Sequence, residues 1–233
     1  MSKFSKRYLI LFFWGFFELS LILVFFAKFF PIIMTPLMVY RSVENLIHKD
    51  KQVKGFKKDW VELSDVSPFL VRSIISLEDP KFKDHHGFDW EAIKKAIKRN
   101  SHRRSKIGAS TITQQTAKNL FLLPIKSYIR KGIEAYFAIL LEIFLSKQEI
   151  LEIYINIIEW GHHIYGAEAA AEYYFGKKAS ALNSQEALLL AAIIPNPRKL
   201  SPIYPSAYVR KRVNLAKKNT STLGKNYFIP LLN

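Results

Sequence analysis

Two glutamates offer the first chemical clue. Glu78 closes the segment PFLVRSIISLED, which Pro80 stops, so its carboxylate sits near the negative end of a helix dipole. A carboxylate there is a better base near neutrality, and cover from Leu77 and Phe82 acts in the same sense. The position suits an ordinary surface glutamate equally well. Glu134 follows Arg130 by four residues, which places guanidinium and carboxylate on one helix face. Exposed, such a pair is worth under about 1 kcal/mol. The flanking AYFAILLEIFL is strongly apolar, however, so the pair falls at the edge of a buried helix where it could line a cleft. Glu142, two turns on, is a rival second carboxylate. Between Glu78 and Glu134 runs GASTITQQTAKN (108–119), whose hydroxyls and amides are neutral partners suited to sugars. Lys118 adds a charge suited to a phosphate. The segment also reads as a polar helix cap, and alone it decides neither way.

Other chemistries lack their residues. There is no Gly-x-Gly-x-x-Gly, phosphate-binding Gly-Lys-Ser/Thr, His-Glu-x-x-His or Gly-x-Ser-x-Gly. The pairs His85/His86 and His162/His163 are adjacent, and neighbours on a helix cannot both face one metal. The absence of cysteine from all 233 residues removes a disulfide scaffold, a Cys-ligated zinc site, an iron–sulfur cluster and a thiol nucleophile.

The elements that must hold these residues read as helices. Ser67-Pro68 starts one that Pro80 ends, and Asp89 caps WEAIKKAIKRN. After a basic, mobile segment, SHRRSKIGAS, Thr111–Leu122 forms a helix that Pro124 breaks. Ser127 caps a long helix from Tyr128 to about Leu145. Ser146-Lys-Gln-Glu149 is a capping box for ILEIYINIIEW, and Asn183-Ser-Gln-Glu186 opens ALLLAAII before Pro195. Ala167–Phe175 is a small-residue helix. Strands are limited to weak candidates near the C-terminus, so the fold class is mainly α.

Charge and apolarity occupy different places. The chain carries +16, yet 49% of its residues are hydrophobic. Tyr8–Ala27 is a nearly unbroken apolar run, and twenty helical residues span about 30 Å, the thickness of a bilayer core. Lys3, Lys6 and Arg7 predict a cytoplasmic N-terminus. Glu18 lies mid-span, where a carboxyl is expensive; its reading is a snorkelling side chain or a helix–helix contact. The expected organisation is a cytoplasmic tail (1–7), a transmembrane anchor (8–27), a membrane-proximal connector (28–59), broken by Pro31 and Pro36 and irregular after residue 41, and a catalytic domain (60–233). Residues 1–28 hold +3, leaving +13 outside the membrane for an anionic partner.

In order along the chain stand EDPKFKDHHGFD (78–89), GASTITQQTAKNLFL (108–122), RKGIEA (130–135), ILEIYINIIEWG (150–161), YGAEAAAEYYFGK (165–177) and EALLLAAIIPNPRKLSP (186–202). Together they resemble the peptidoglycan glycosyltransferases of family 51, in their short monofunctional form, over roughly Trp60–Arg210. The resemblance implies a lysozyme-like, two-lobed helical domain with a membrane-contacting jaw. It implies lipid II as acceptor, with the growing glycan on undecaprenyl diphosphate as donor. Glu78 matches the general base and Glu134 the second important glutamate. Lys118, Arg130 and Lys131 match donor-site cations. Ser110, Thr111, Gln114, Gln115 and Asn119 match sugar- or phosphate-contacting positions, some of which pack or cap. Asp79, Phe82 and His85 would shape the site. Ala109 replaces one glycine of the commoner Gly-Gly-Ser-Thr form. No protein metal site and no obligatory cofactor follow, although a divalent cation, Mg or Mn, is compatible. The implied place is the bacterial inner membrane, with the catalytic domain on its outer face and other cell-wall synthesis proteins as neighbours.

Two other readings compete. A murein hydrolase or lytic transglycosylase of the same fold would also use carboxylates, but it needs no Arg-Lys-x-x-Glu clamp for a diphosphate. A membrane-tethered anion-binding protein would use the run Lys94–Lys106. That run lacks the interleaved aromatics of single-strand nucleic-acid binding, and an outward-facing domain is out of reach of nucleic acid.

Overall fold

The computed structural model describes residues 3–48, 56–101 and 108–232. The basic segment around Arg103–Lys106, expected to be mobile, lies largely outside the described residues. The first helix, α1 (Lys3–Phe29), contains a stretch, Ile10–Phe29, long and apolar enough to cross a membrane. Its side chains are mostly exposed, apart from a stripe of Ser20, Val24 and Ala27. This four- and three-residue spacing is that of one helix face, and it rests on α6 (Tyr128–Phe144). There Ser20 Oγ and Tyr136 Oη share a hydrogen bond of 2.6 Å, and Phe16 packs on the rings of Tyr136 and Phe137. At the far end Lys28 donates to the Phe144 carbonyl at 2.8 Å. Glu18 is on the exposed side.

After a break at Pro31, α2 (Pro36–His48) begins with proline in its first turn, and Thr35 Oγ1 accepts from Met38 N at 3.3 Å. Residues 41–48, expected to be irregular, are therefore helical. The first turn of α2 presents Leu37 and Met38 to the buried ring of Tyr165.

Most of the remaining helices form two groups; the main core runs through both, and a smaller cluster lies between α9 and α10. The first unites α3 (Pro68–Glu78), α9 (Ser184–Ile193) and α10 (Ala207–Leu223). Val209, Val213 and Ala216 of α10 are buried against Leu188, Ala192 and Ile193 of α9. The second unites α5 (Ile112–Phe121), α6 and α7 (Lys147–Ile157). Capping boxes at Thr111/Gln114, Ser146/Glu149 and Asn183/Glu186 start α5, α7 and α9. Asp89 caps α4 (Trp90–Asn100) by accepting from Ala92 N at 2.8 Å. Ser67 departs from its expected role: its hydroxyl donates to the Leu182 carbonyl at 2.8 Å instead of capping α3.

Two segments take a different form from the sequence expectation. The run after Ile157 leaves the helix and becomes a hairpin of β2 (Glu159–Gly161) and β3 (Ile164–Tyr165), with β1 (Lys57–Lys58) parallel on the other side of β3. Gly166 follows at φ +88° and opens α8 (Ala167–Phe175); a Cβ there would meet the Asp59 carbonyl at 2.7 Å. The C-terminal stretch, expected to hold weak strands, is α10 followed by α11 (Lys225–Leu232), whose Phe228 and Leu231 reach the main core. The stripe of Val209, Val213 and Ala216 explains the first: its period is helical, and the residues between are polar.

Candidate active site

The two helical groups meet at the end of α3. Glu78, its last residue, is largely buried and engaged at both oxygens. Arg212 Nη2 of α10 donates to Oε1 at 2.6 Å, and Gln115 Nε2 of α5 donates to Oε2 at 3.2 Å. Gln115 is held in turn by the Tyr154 hydroxyl, which donates to Gln115 Oε1 at 3.3 Å. Tyr154 is wholly buried, and that burial, followed by the charges of Glu78 and Asp79, keeps its phenol protonated far above the ordinary range.

The next residue fixes the junction. Asp79 is buried and accepts from Ile112 N at 2.9 Å, the first amide of α5, while both its oxygens lie 3.0 Å from His85 Nε2. Thr111 Oγ1 donates to the Gly87 carbonyl at 2.6 Å. The loop 79–89 is thus fastened to the start of α5, which sets where Gln115 points. Phe82 is completely buried beneath this loop, with Lys147 Nζ over its ring at 4.6 Å. The polar atoms of Thr111 and Gln114 are taken up by the capping box.

Beyond Gln115, α5 lines a cavity of about 340 Å³. Gln115, Lys118 and Asn119 stand on its wall, three and four residues apart on one helix face. Lys126, just before α6, and Arg130 within it add two more cations. Burial, together with the nearby Arg130 and Lys131, holds the Lys118 ammonium below its ordinary value, with Glu134 opposing. An anion entering the cavity would reverse that shift.

Glu134 is the anchor of this cationic group. Its side chain is only 3% exposed, Arg130 Nη1 donates to it at 2.7 Å, and Lys131 Nζ caps its other oxygen. Lys131 also reaches Ser110 Oγ at 3.3 Å, and neither of these two residues is on the cavity lining. In its place under the cations, Glu134 fixes the Arg130 fork and lowers the cost of gathering like charges. Glu142, the rival carboxylate, is engaged elsewhere: Thr113 Oγ1 and Lys147 Nζ donate to it at 2.5 and 2.7 Å. Glu78 and Glu134 both carry cationic partners.

Three contributors escaped the sequence reading. Arg212 lies 134 residues from Glu78. Lys126 is one of many exposed lysines until the turn before α6 brings it beside Lys118 and Arg130. Glu159 had been assigned to a helix; the hairpin places it at the cavity wall. Only Lys126 left a signal, as a lysine between Pro124 and a capped helix that starts with Arg130-Lys131.

Residues 44–221 match the family model described as Transglycosylase. A biosynthetic peptidoglycan transglycosylase from Bacteroides thetaiotaomicron is 47% identical over 197 residues, covering 84% of this chain and 79% of that protein. The protein of the same description from Caulobacter vibrioides is 46% identical, covering 85% and 83%. That from Pseudomonas syringae is 42% identical over 214 residues, covering 92% and 90%.

Proposed function

This chain belongs to the transglycosylase family and is a peptidoglycan glycosyltransferase, and from that premise we propose that it polymerises lipid II with Glu78 as the general base. The observation that carries the reading is Gln115, which touches Glu78 on one side and lines the cationic cavity on the other. A base and an anion site are thereby joined through one side chain.

In the proposed reaction the donor is a glycan on undecaprenyl diphosphate, and its diphosphate lies among Lys118, Lys126 and Arg130. The acceptor is lipid II, whose GlcNAc 4-hydroxyl approaches Glu78. Each oxygen of Glu78 has a lone pair beyond the one engaged by Arg212 or Gln115, so the acceptor hydroxyl can donate to it. The hydroxyl oxygen attacks the anomeric carbon of the donor MurNAc as its proton passes to Glu78. The bond from that carbon to the diphosphate oxygen breaks, and its electron pair leaves with undecaprenyl diphosphate. Attack opposite the leaving group turns the α linkage into β-1,4. The preorganised cations stabilise the charge that grows on the diphosphate as the bond breaks. Arg212 is a positioning residue here: it orients the base without touching the reacting atoms.

The apolar helix α1 supports the accompanying placement: a single-pass anchor with its N-terminus in the cytoplasm and the catalytic domain on the outer face of the bacterial inner membrane. There the lipid tails of donor and acceptor share the bilayer that holds α1.

Glu78→Gln tests the assignment. Incubated with labelled lipid II and resolved by size, the variant is expected to fold and insert but to make no strands. Strand synthesis near the wild-type rate removes Glu78 from the role of base, and release of muropeptides from finished wall by the wild type favours the hydrolytic reading.

A further inference from the structure

The donor cavity has a wall that does not come from the catalytic domain. Arg41, on α2, lines it together with Lys118, Lys126 and Arg130. It lies outside the matched stretch 44–221 and inside the segment expected to be a membrane-proximal, jaw-like connector. Building on the proposed donor site, we propose that Arg41 is a diphosphate-binding residue, a fourth cation supplied to the donor pocket by the membrane-proximal helix.

The surroundings hold Arg41 for such a task. Its Nη1 donates to Glu44 Oε2 at 2.7 Å, one turn along α2, and its Nε lies 3.6 Å from Glu159 Oε2 on β2. Glu44 is fixed in turn by Arg198 Nη1 at 3.0 Å, from the segment after α9. Two carboxylates, one on α2 and one on β2, therefore flank the guanidinium, and Arg198 steadies the first of them. A surface arginine needs no such bracing; a cation that must hold its fork in place does. The side chain is still 22% exposed, and what it is exposed to includes the cavity. Glu159 is the only acidic residue on that lining, against four basic ones. The cavity is thus positive overall with Arg41 already paired, which fits an anion carrying at least two charges.

A purely structural Arg41 would serve to tie α2 to the domain, and the test separates the two roles. Full-length protein in detergent is titrated with undecaprenyl diphosphate by calorimetry, and thermal unfolding is followed in parallel. Arg41→Gln is expected to weaken binding about tenfold or more, the range of a lost charge-assisted hydrogen bond. Arg41→Lys retains the charge but not the fork, and its binding is expected to fall between those of wild type and Arg41→Gln. Glu44→Gln weakens the brace but leaves the cation, and is expected to lose less binding than Arg41→Gln does. The proposal is overturned if Arg41→Gln binds as tightly as wild type, or if Glu44→Gln weakens binding as much as Arg41→Gln does. The titration needs no turnover. A failure of the lipid II reading therefore appears in the polymerisation assay, and a failure of this inference appears in the titration.

Discussion

Replacing Arg212 by alanine tests the link between α10 and the base. The ion pair is 2.6 Å long, with the two side chains only 16% and 11% exposed. Breaking a fully buried pair costs about 3–5 kcal/mol, because the remaining charge is stranded. Some water reaches this one, which places the expected cost near about 3 kcal/mol at the low end of that range. At about 1.4 kcal/mol per factor of ten, this is on the order of a hundredfold. Where the loss falls is the point at issue. α10 keeps its apolar stripe on α9, and Asn219 Nδ2 still donates to the Ser76 carbonyl at 2.7 Å. The helix should therefore stay docked while Glu78 loses its orientation. The expected result is kcat/KM for lipid II lowered about a hundredfold, with the thermal midpoint lowered by only a few degrees. Were the whole cost spent on stability, the midpoint would fall by roughly 6–12 °C in a chain of this size. Such a fall, with the folded enzyme as active as wild type, refutes the positioning role. On a Glu78→Gln background Arg212→Ala should cost less than about threefold more, since both changes act on one carboxylate. Full additivity would likewise refute the reasoning.

Two further outcomes follow from the charges. Lys118 is held below its ordinary value, so it loses its proton at a lower pH than a free lysine, and donor use should decline as pH rises through that value. Lys118→Arg stays charged, so the alkaline limb of its kcat/KM profile should move to higher pH; an unmoved limb removes Lys118 from the donor site. Glu142→Ala strands Lys147 and Thr113 in a nearly buried place and should lower stability by about 3 kcal/mol. Its activity at low temperature should remain within about threefold of wild type, and a selective loss of turnover would return Glu142 to the site.

How much of this was legible depended on sequence distance. The capping boxes, Asp89, the prolines and the Arg130–Glu134 spacing are local signals, and each marks a helix or a pair that the structure contains. The hairpin was hidden because Glu152, Asn156 and Glu159 recur at helical spacing in ILEIYINIIEW, so the helical pattern runs on past the point where the helix ends. Arg212 and Arg41 were hidden for another reason. Each is one basic residue among 35; the partner of Arg212 is 134 residues away, and the local pair of Arg41 with Glu44 carries no mark of a cavity. Only the packing of α10 on α3, and of α2 on α5, brings them to the site. Ser67 shows the same limit on a smaller scale: the cap position was visible, but the competing Leu182 carbonyl, 115 residues away, was not.

The hydrogen bonds that run from the buried phenol of Tyr154 to Glu78 have a polarity. An amide side chain can be turned end for end at little cost, and a Gln115 turned that way would offer a carbonyl to a carboxylate. The carboxylate of Glu78 opposes the turn. It can only accept, so it takes the amide nitrogen, and the Tyr154 hydroxyl, able to donate or accept, donates to the Gln115 oxygen left on the other side. The chain from tyrosine to glutamine to glutamate therefore runs one way. A wholly buried hydroxyl thus completes the arrangement that turns the amide nitrogen toward the base.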